Sequence, residues 1–461
     1  MNKARERGSG AHPPAIAPSG WAILAVLGAL SGVWSVVLWM ELVLLRSGGS
    51  SFCATGGRLD CSAIWNGAFA SRIQSLTGLP IAGWGLVWSA VAFTLALTGL
   101  LRAAQGRPAE RVFSATRLTA IAGVLAVAVM LAASLAAGAF CLGCIGMDVL
   151  VAAYGVIALR RWRSAGLAQW PQAAMLAGGA AAAAFLLLLY PGLHTPRSSG
   201  EAGRRAVEAA AALPIQPETA APVAESGTGN PERDKAISDL INSLEPPLKQ
   251  TLADSLAIYR ASVPQPLPPP RALVGAEMSP VRITEFTDIL CEHCAGLNQT
   301  LHALREHVPP GSYSVDARQF PLDGRCNPLL QPGKEGDDVR CVAAKLRICA
   351  EPTGREPDFA SALFAKQEGL TRKEAIEIAS RFLPRAQIDA CLASPKIRAE
   401  LEQDIAAAAR FDSDGTPIVA INGRKGTSFA PFLYAMILTR GKADHPAFGE
   451  LPPGDPRAHL H

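Results

Sequence analysis

The sequence predicts an α-helical membrane bundle joined to a soluble α/β domain. Three observations predict it. Long apolar runs are confined to the first 190 of the 461 residues, and 49% of the chain is hydrophobic. All eight Trp fall between Trp21 and Trp170, as expected of aromatic belts at membrane interfaces. From about Val274 the pattern changes to short alternating strands and amphipathic helices, with Cys291 and Cys294 between a strand and a helix.

Taken in order, residues 1–20 form a basic cytoplasmic tail with Lys3, Arg5 and Arg7. Trp21 to Leu45 is the first span, long enough for a bilayer that needs about 20 apolar residues. No small-residue cleavage site follows it closely, so it is expected to stay as an anchor. Residues 46–79 form a polar loop with Cys53 and Cys61, and its stretch Ala63 to Leu76 has the pattern of an amphipathic helix. Pro80 to Leu101, Leu118 to Phe140 and Cys141 to Leu159 are the next three spans, giving a four-helix domain over 21–163. A fifth span is expected over 171–191, with its apolar core from Ala173 to Tyr190. Residues 192–273 are expected to be a linker, partly disordered, with short helices interrupted at Pro246-Pro247. A soluble domain over 274–445 and a tail over 446–461 complete the chain.

Arg and Lys are asymmetric about these spans. Ten lie in the N-terminal tail, the 102–117 loop and the 160–163 loop, and three (Arg46, Arg58, Arg72) lie opposite. The first set is therefore expected in the cytoplasm of an inner-membrane protein, which puts all ten Cys and the soluble domain on the other side. An even number of Cys on one side fits an oxidising compartment. The net charge of +4, with no basic patch interleaved with aromatics, excludes nucleic acid as an expected partner.

The chemistry is carried by Cys-x-x-Cys. Phe140-Cys141-Leu142-Gly143-Cys144 stands where the third span must turn back into the fourth, so it opens a helix at the membrane face. A dithiol at this spacing closes and reopens a disulfide, and a helix N-terminus favours the thiolate. Zinc would need four ligands, and no second pair follows at finger spacing. Asp148 stands four residues after Cys144, on the same helix face, either to pass protons or as a hydrated interfacial group. In the soluble domain, Val281 to Phe286 alternates like a strand and runs into Cys291-Glu292-His293-Cys294 at a helix start, a thioredoxin-like signature. Ser314 to Phe320 reads as a strand, Val342 to Ala350 and Phe359 to Gln367 as helices, and Gly415 to Gly423 as turn, strand and hairpin turn. Cys326, Cys341, Cys349 and Cys391 read as structural. Of their three connectivities, Cys326–Cys341 with Cys349–Cys391 is favoured.

Residues 274–440 resemble the DsbA-like branch of the thioredoxin superfamily. The resemblance implies an exposed nucleophile Cys291, a buried resolving Cys294, a thiolate-stabilising His293, and Thr416-Pro417 as a cis-proline loop facing the pair. Glu292 stands where that branch often has proline, and is expected to raise the thiol pKa and make the disulfide less oxidising.

Residues 20–160 resemble bacterial vitamin K epoxide reductase (VKOR) homologues. The likeness rests on Cys53, Cys61, Ser62, the Gly78-Leu79-Pro80 turn and the Phe140-to-Cys144 motif. It implies that Cys144 faces a quinone (ubiquinone or menaquinone), that Cys141 exchanges with Cys61, and that Cys53 meets the fused thioredoxin-like domain. Where the family often has a serine, six positions after Cys61, this chain has Gly67, with Asn66 beside it as a substitute contact for the quinone. The expected function is a membrane thiol oxidase for disulfide formation, taking electrons from client dithiols to the quinone. A reductase or isomerase, and a membrane-anchored thiol-binding chaperone, are the alternatives.

Overall fold

The computed structural model describes residues 17–47, 61–137, 140–160, 170–211, 231–271, 273–331, 338–413, 415–458 and 460. Cys53 lies outside them. The chain divides into two compact units, Met1–Val43 with Ser51–Thr195, and Leu44–Ser50 with Pro196–His461.

Five helices of the first unit are long and apolar enough to cross a membrane: α1 (Pro18–Arg46), α4 (Ile81–Ala104), α5 (Glu110–Ala137), α6 (Leu142–Arg160) and α7 (Trp170–His194). Two short helices, α2 (Cys61–Trp65) and α3 (Ala68–Thr77), stand between α1 and α4. The sequence suggested one amphipathic helix there, but it breaks at Asn66-Gly67, where extended Gly67 caps α3. The α5 helix begins eight residues before Leu118, since Glu110 to Arg117 hold no Gly or Pro to stop it and place an acid in the first turn. Trp21, Leu24, Val91, Leu95 and Tyr154 form the interior of this bundle. Glycines let its helices approach. A Cβ on Gly99 would run into the Trp21 ring, and one on Gly123 would stand 2.6 Å from Trp88 Nε1. Leu125, Leu135, Val149, Leu186 and Leu187 point outward and exposed, the arrangement a bilayer solvates.

The second unit opens with α8 (Ser199–Ala211), α9 (Pro231–Ser243) and α10 (Pro246–Ala261). Here the sequence suggested a linker. Instead Val207, Ile237, Leu240, Leu252, Leu256 and Tyr259 enter the same core as the central strands. Their apolar spacing was visible, but nothing local showed that the soluble domain would supply a face for them. The rest runs β1 (Leu273–Gly275), β2 (Val281–Thr287), α11 (Glu292–His307), β3 (Tyr313–Gln319), α12 (Val339–Ala350), α13 (Glu356–Phe364), α14 (Arg372–Ala379), α15 (Arg385–Leu392), α16 (Pro395–Ala408), β4 (Ile418–Ile421), β5 (Arg424–Gly426) and α17 (Ala430–Leu438). The sheet order is β1-β3-β2-β4-β5. The β2–β3 pair is parallel, with Ile283 opposite Val315, and β2–β4 is antiparallel, with Glu285 opposite Val419. The β4–β5 hairpin turns at Asn422 and Gly423, both at positive φ (50° and 80°). The C-terminal residues are also docked: Phe448 is buried in the core, and Asp455 N–H donates to Asp254 at 2.8 Å. Cys326–Cys341 and Cys349–Cys391 are both disulfides, with Cα–Cα distances of 5.8 and 6.2 Å.

Candidate active site

Cys141 and Cys144 form a disulfide across the start of α6, with 5.2 Å between their Cα atoms. Cys141 is buried and Cys144 half-buried. The first turn of α6 is built around the pair: Cys144 N–H points at Cys141 Sγ at 3.0 Å, and Ile145 N–H donates to Cys141 O at 3.0 Å. Trp34 of α1, which the sequence did not single out, holds this turn through an indole N–H donated to Gly143 O at 2.9 Å. Gly146 makes room for that ring, since a Cβ there would lie 3.1 Å from Trp34 Nε1. Trp34→Phe, which keeps the ring and deletes the donor, is expected to lower turnover about tenfold, measured as dithiol oxidation by protein in detergent. Asp148 is half-buried one turn after Cys144. Cys61 opens α2, is fully buried and is disulfide-bonded. The α2 helix packs on α5 and α6, and Asn66 is buried at its end, its carbonyl accepting from Ser71 at 3.1 Å.

The second centre lies in the other unit. Strand β2 hands the chain through a turn at Asp288 to Cys291, the N-cap of α11 (φ −83°, ψ 121°). Cys291 Sγ accepts from Cys294 N–H at 3.4 Å and donates to Thr416 O at 3.1 Å. The Thr416–Pro417 peptide is cis. Cys294 is fully buried, and Asp288 N–H points at its sulfur at 3.5 Å. The hydrogen bond from Cys294, which outweighs burial, holds the Cys291 thiol below its ordinary value. Burial pushes Cys294 well above its own. The couple therefore has one sulfur poised as the nucleophilic thiolate and one kept protonated until it is needed. His293 is half-buried in the first turn of α11.

Glu292 departs from the expectation. Burial pushes its carboxyl up to about 8, so at neutral pH it is mostly uncharged and repels the Cys291 thiolate little. The sequence showed the residue but not its burial. Glu292→Gln is accordingly expected to leave the Cys291–Cys294 potential at pH 7 within about 10 mV of wild type and to make it more oxidising at pH 9, in a glutathione titration.

Glu285 was passed over as one residue of an alternating strand. It is buried on the central strand β2, and burial raises its carboxyl to about 7. Beside it Arg347 is also buried, donating to Glu356 at 2.7 Å and to Thr287 Oγ1 at 2.7 Å. Burial works against the charge on Arg347, but the carboxylates of Glu356 and Glu285 outweigh it and raise its pKa. An acid at a core-facing strand position six residues before Cys291 was the signal available.

An apolar helical unit with a Cys-x-x-Cys at one helix start, in one chain with a five-stranded α/β unit carrying a second, defines a membrane disulfide oxidoreductase. Residues 21–159 match the model of the vitamin K epoxide reductase family, and residues 269–430 match the thioredoxin model. One chain thus joins a segment similar to the VKOR family to a thioredoxin-like segment. No curated protein matches the chain. Among solved structures it is similar to a thioredoxin-like oxidoreductase from Silicibacter pomeroyi DSS-3 (19% identity, 41% of this chain and 98% of that one, TM-score 0.31). It is also similar to Wolbachia pipientis α-DsbA1 (19%, 38% and 94%, TM-score 0.30) and to BdbD from Bacillus subtilis (17%, 39% and 97%, TM-score 0.31).

Proposed function

We propose that the protein is a thiol oxidase of the cytoplasmic membrane, with its thioredoxin-like domain on the extracytoplasmic side, and that it makes disulfides in client proteins. The observation that carries this reading is the asymmetry of the second dithiol. A thiolate stabilised at Cys291 stabilises the reduced couple, which makes the disulfide the better oxidant.

In this reading a client thiolate attacks Cys291 Sγ of the Cys291–Cys294 disulfide, and Cys294 leaves as the thiol. A second client thiolate attacks the client sulfur of the mixed disulfide, and Cys291 leaves. Thr416 and Pro417 offer backbone beside the reacting sulfur to a bound chain. The dithiol then reduces Cys53–Cys61, whose Cys61 thiolate opens Cys141–Cys144 by attack on Cys141. Each exchange moves two electrons through a mixed disulfide.

The VKOR resemblance implies a quinone as the final acceptor. The residues around Cys144 suit such a group: exposed Leu142 and Ile145 give an apolar approach from the bilayer, and Asp148 is a half-buried polar group one turn on, while Asn66 is buried just after α2. A bound quinone would take up two electrons and two protons. Cys144 would be the thiol that faces it, Asn66 a donor to its carbonyl, and Asp148 the group that passes protons along α6.

Two experiments test the path. In Cys144→Ser, Cys141 lacks its resolving partner, so a Cys61–Cys141 disulfide should accumulate. Peptide mapping that finds only Cys53–Cys61 would show that the loop cysteines have other roles. A reporter active only outside the cytoplasm should be silent when fused after Arg163 and active after Thr195, and the reverse would reject the orientation.

A further inference from the structure

Asp288 is buried at the end of β2, three residues before Cys291. Three donors hold its carboxylate. Leu290 N–H reaches Oδ1 at 2.8 Å, Leu322 N–H reaches Oδ2 at 2.8 Å, and the Arg340 guanidinium pairs with Oδ1. The backbone N–H of Asp288 in turn points at Cys294 Sγ. This carboxylate therefore fixes the turn that presents both cysteines.

Two of the donors belong to segments joined by the Cys326–Cys341 disulfide. Cys326 follows Leu322 by four residues, and Cys341 follows Arg340 directly, so the bridge closes a clamp on Asp288. Arg340 stands in the first turn of α12, where a cation opposes the helix macrodipole. Its pairing with Asp288 offsets that cost. The charge of Asp288 is among those that raise the Cys291 thiol, after the stronger effects of the Cys294 hydrogen bond and burial.

We propose that Arg340 is a positioning residue for the Cys291–Cys294 couple. Braced by Cys326–Cys341, it grips and neutralises Asp288 and so keeps the couple oxidising. The proposal rests on the reading of Cys291–Cys294 as the exchanging dithiol and is independent of the terminal acceptor.

The test uses the full-length protein in detergent, equilibrated in glutathione buffers. Two glutathione thiols reduce the disulfide to the dithiol and leave as oxidised glutathione. After acid quench and alkylation, peptide mass spectrometry reads Cys291 and Cys294. Arg340→Met is expected to shift the equilibrium about tenfold toward the disulfide, about 30 mV for this two-electron couple. Arg340→Lys should recover most of that shift. Asp288→Asn should shift the other way, toward the dithiol, and in the Asp288→Asn background Arg340→Met should have little further effect. Cys326→Ala with Cys341→Ala should shift in the Arg340→Met direction by about threefold. Opposite signs for Arg340→Met and Asp288→Asn are what a loss of packing would not produce. Shifts of the same sign, or of less than about twofold, would overturn the proposal. If Arg340→Met does not fold, the Cys326→Ala, Cys341→Ala double variant and Asp288→Asn still carry the comparison of signs. The expected shifts in a protein that reduces no quinone would leave the clamp standing and remove only the acceptor.

Discussion

Cys294→Ala will accumulate a covalent complex between Cys291 and client proteins, and catalytic dithiol oxidation will fall by about a thousandfold or more. The expectation follows from the burial of one sulfur and the position of the other. Cys291 caps α11 and is the sulfur in contact with the Thr416 carbonyl beside the cis proline, whereas Cys294 is fully buried. In Cys294→Ala the Cys291 thiolate attacks the disulfide of an oxidised client, forming a mixed disulfide and releasing the client's other sulfur as a thiol, and no Cys294 remains to attack Cys291 Sγ and free the client. The variant also has no Cys291–Cys294 disulfide with which to oxidise a client dithiol, and release of the trapped complex by a thiol from solution forgoes an effective concentration of many orders of magnitude. Non-reducing gels with mass spectrometry read the complex. Cys291→Ala should give none. A complex that persists in Cys291→Ala would place the nucleophile elsewhere, and none in either variant would favour a non-enzymatic thiol-binding role.

Arg347→Met will destabilise the soluble unit by about 3–5 kcal/mol, because it leaves the buried Glu285 and Glu356 without their cation. The effect will depend on pH. A carboxyl raised to about 7 by burial holds its proton more tightly in the fold than in the unfolded chain, where the ordinary value is 4.5. Glu285 therefore costs stability progressively as pH rises from about 4.5 to about 7, and the cost is complete above that. Glu285→Gln should flatten this part of the stability profile, while Arg347→Met should steepen it. Denaturant unfolding followed at several pH values checks both. Equal profiles for wild type and Glu285→Gln would mean that Glu285 is not the titrating group.

Much of this was legible in the sequence, because bilayer spans and Cys-x-x-Cys motifs are local signals. A run of about 20 apolar residues admits few readings, and a dithiol at a helix start is visible as spacing alone. The residues that tune the centres were not legible. Trp34 and Gly143 are separated by 109 positions, and Arg340 and Asp288 by 52. Glu292 was recognised as the departure from proline, but its charge state depends on burial that no neighbouring residue announces. The α8, α9 and α10 helices were weak alone, since their apolar faces acquire meaning only when β2, α11 and α17 bring the opposing surface. The α14, α15 and α16 helices were missed for a related reason. The first two are eight residues each, and all three pack on α12, one of whose cysteines bridges to Cys391.

The direction of electron flow is tested most directly by mixing the purified full-length protein with a dithiol peptide and a soluble quinone under anaerobic conditions. Flow from client to membrane requires one quinol formed for each peptide disulfide, with both products lost in Cys291→Ala and in Cys144→Ala. Quinol that instead reduces a peptide disulfide through the same cysteines, with no quinone reduction by the dithiol, would contradict the oxidase reading and establish the opposite direction.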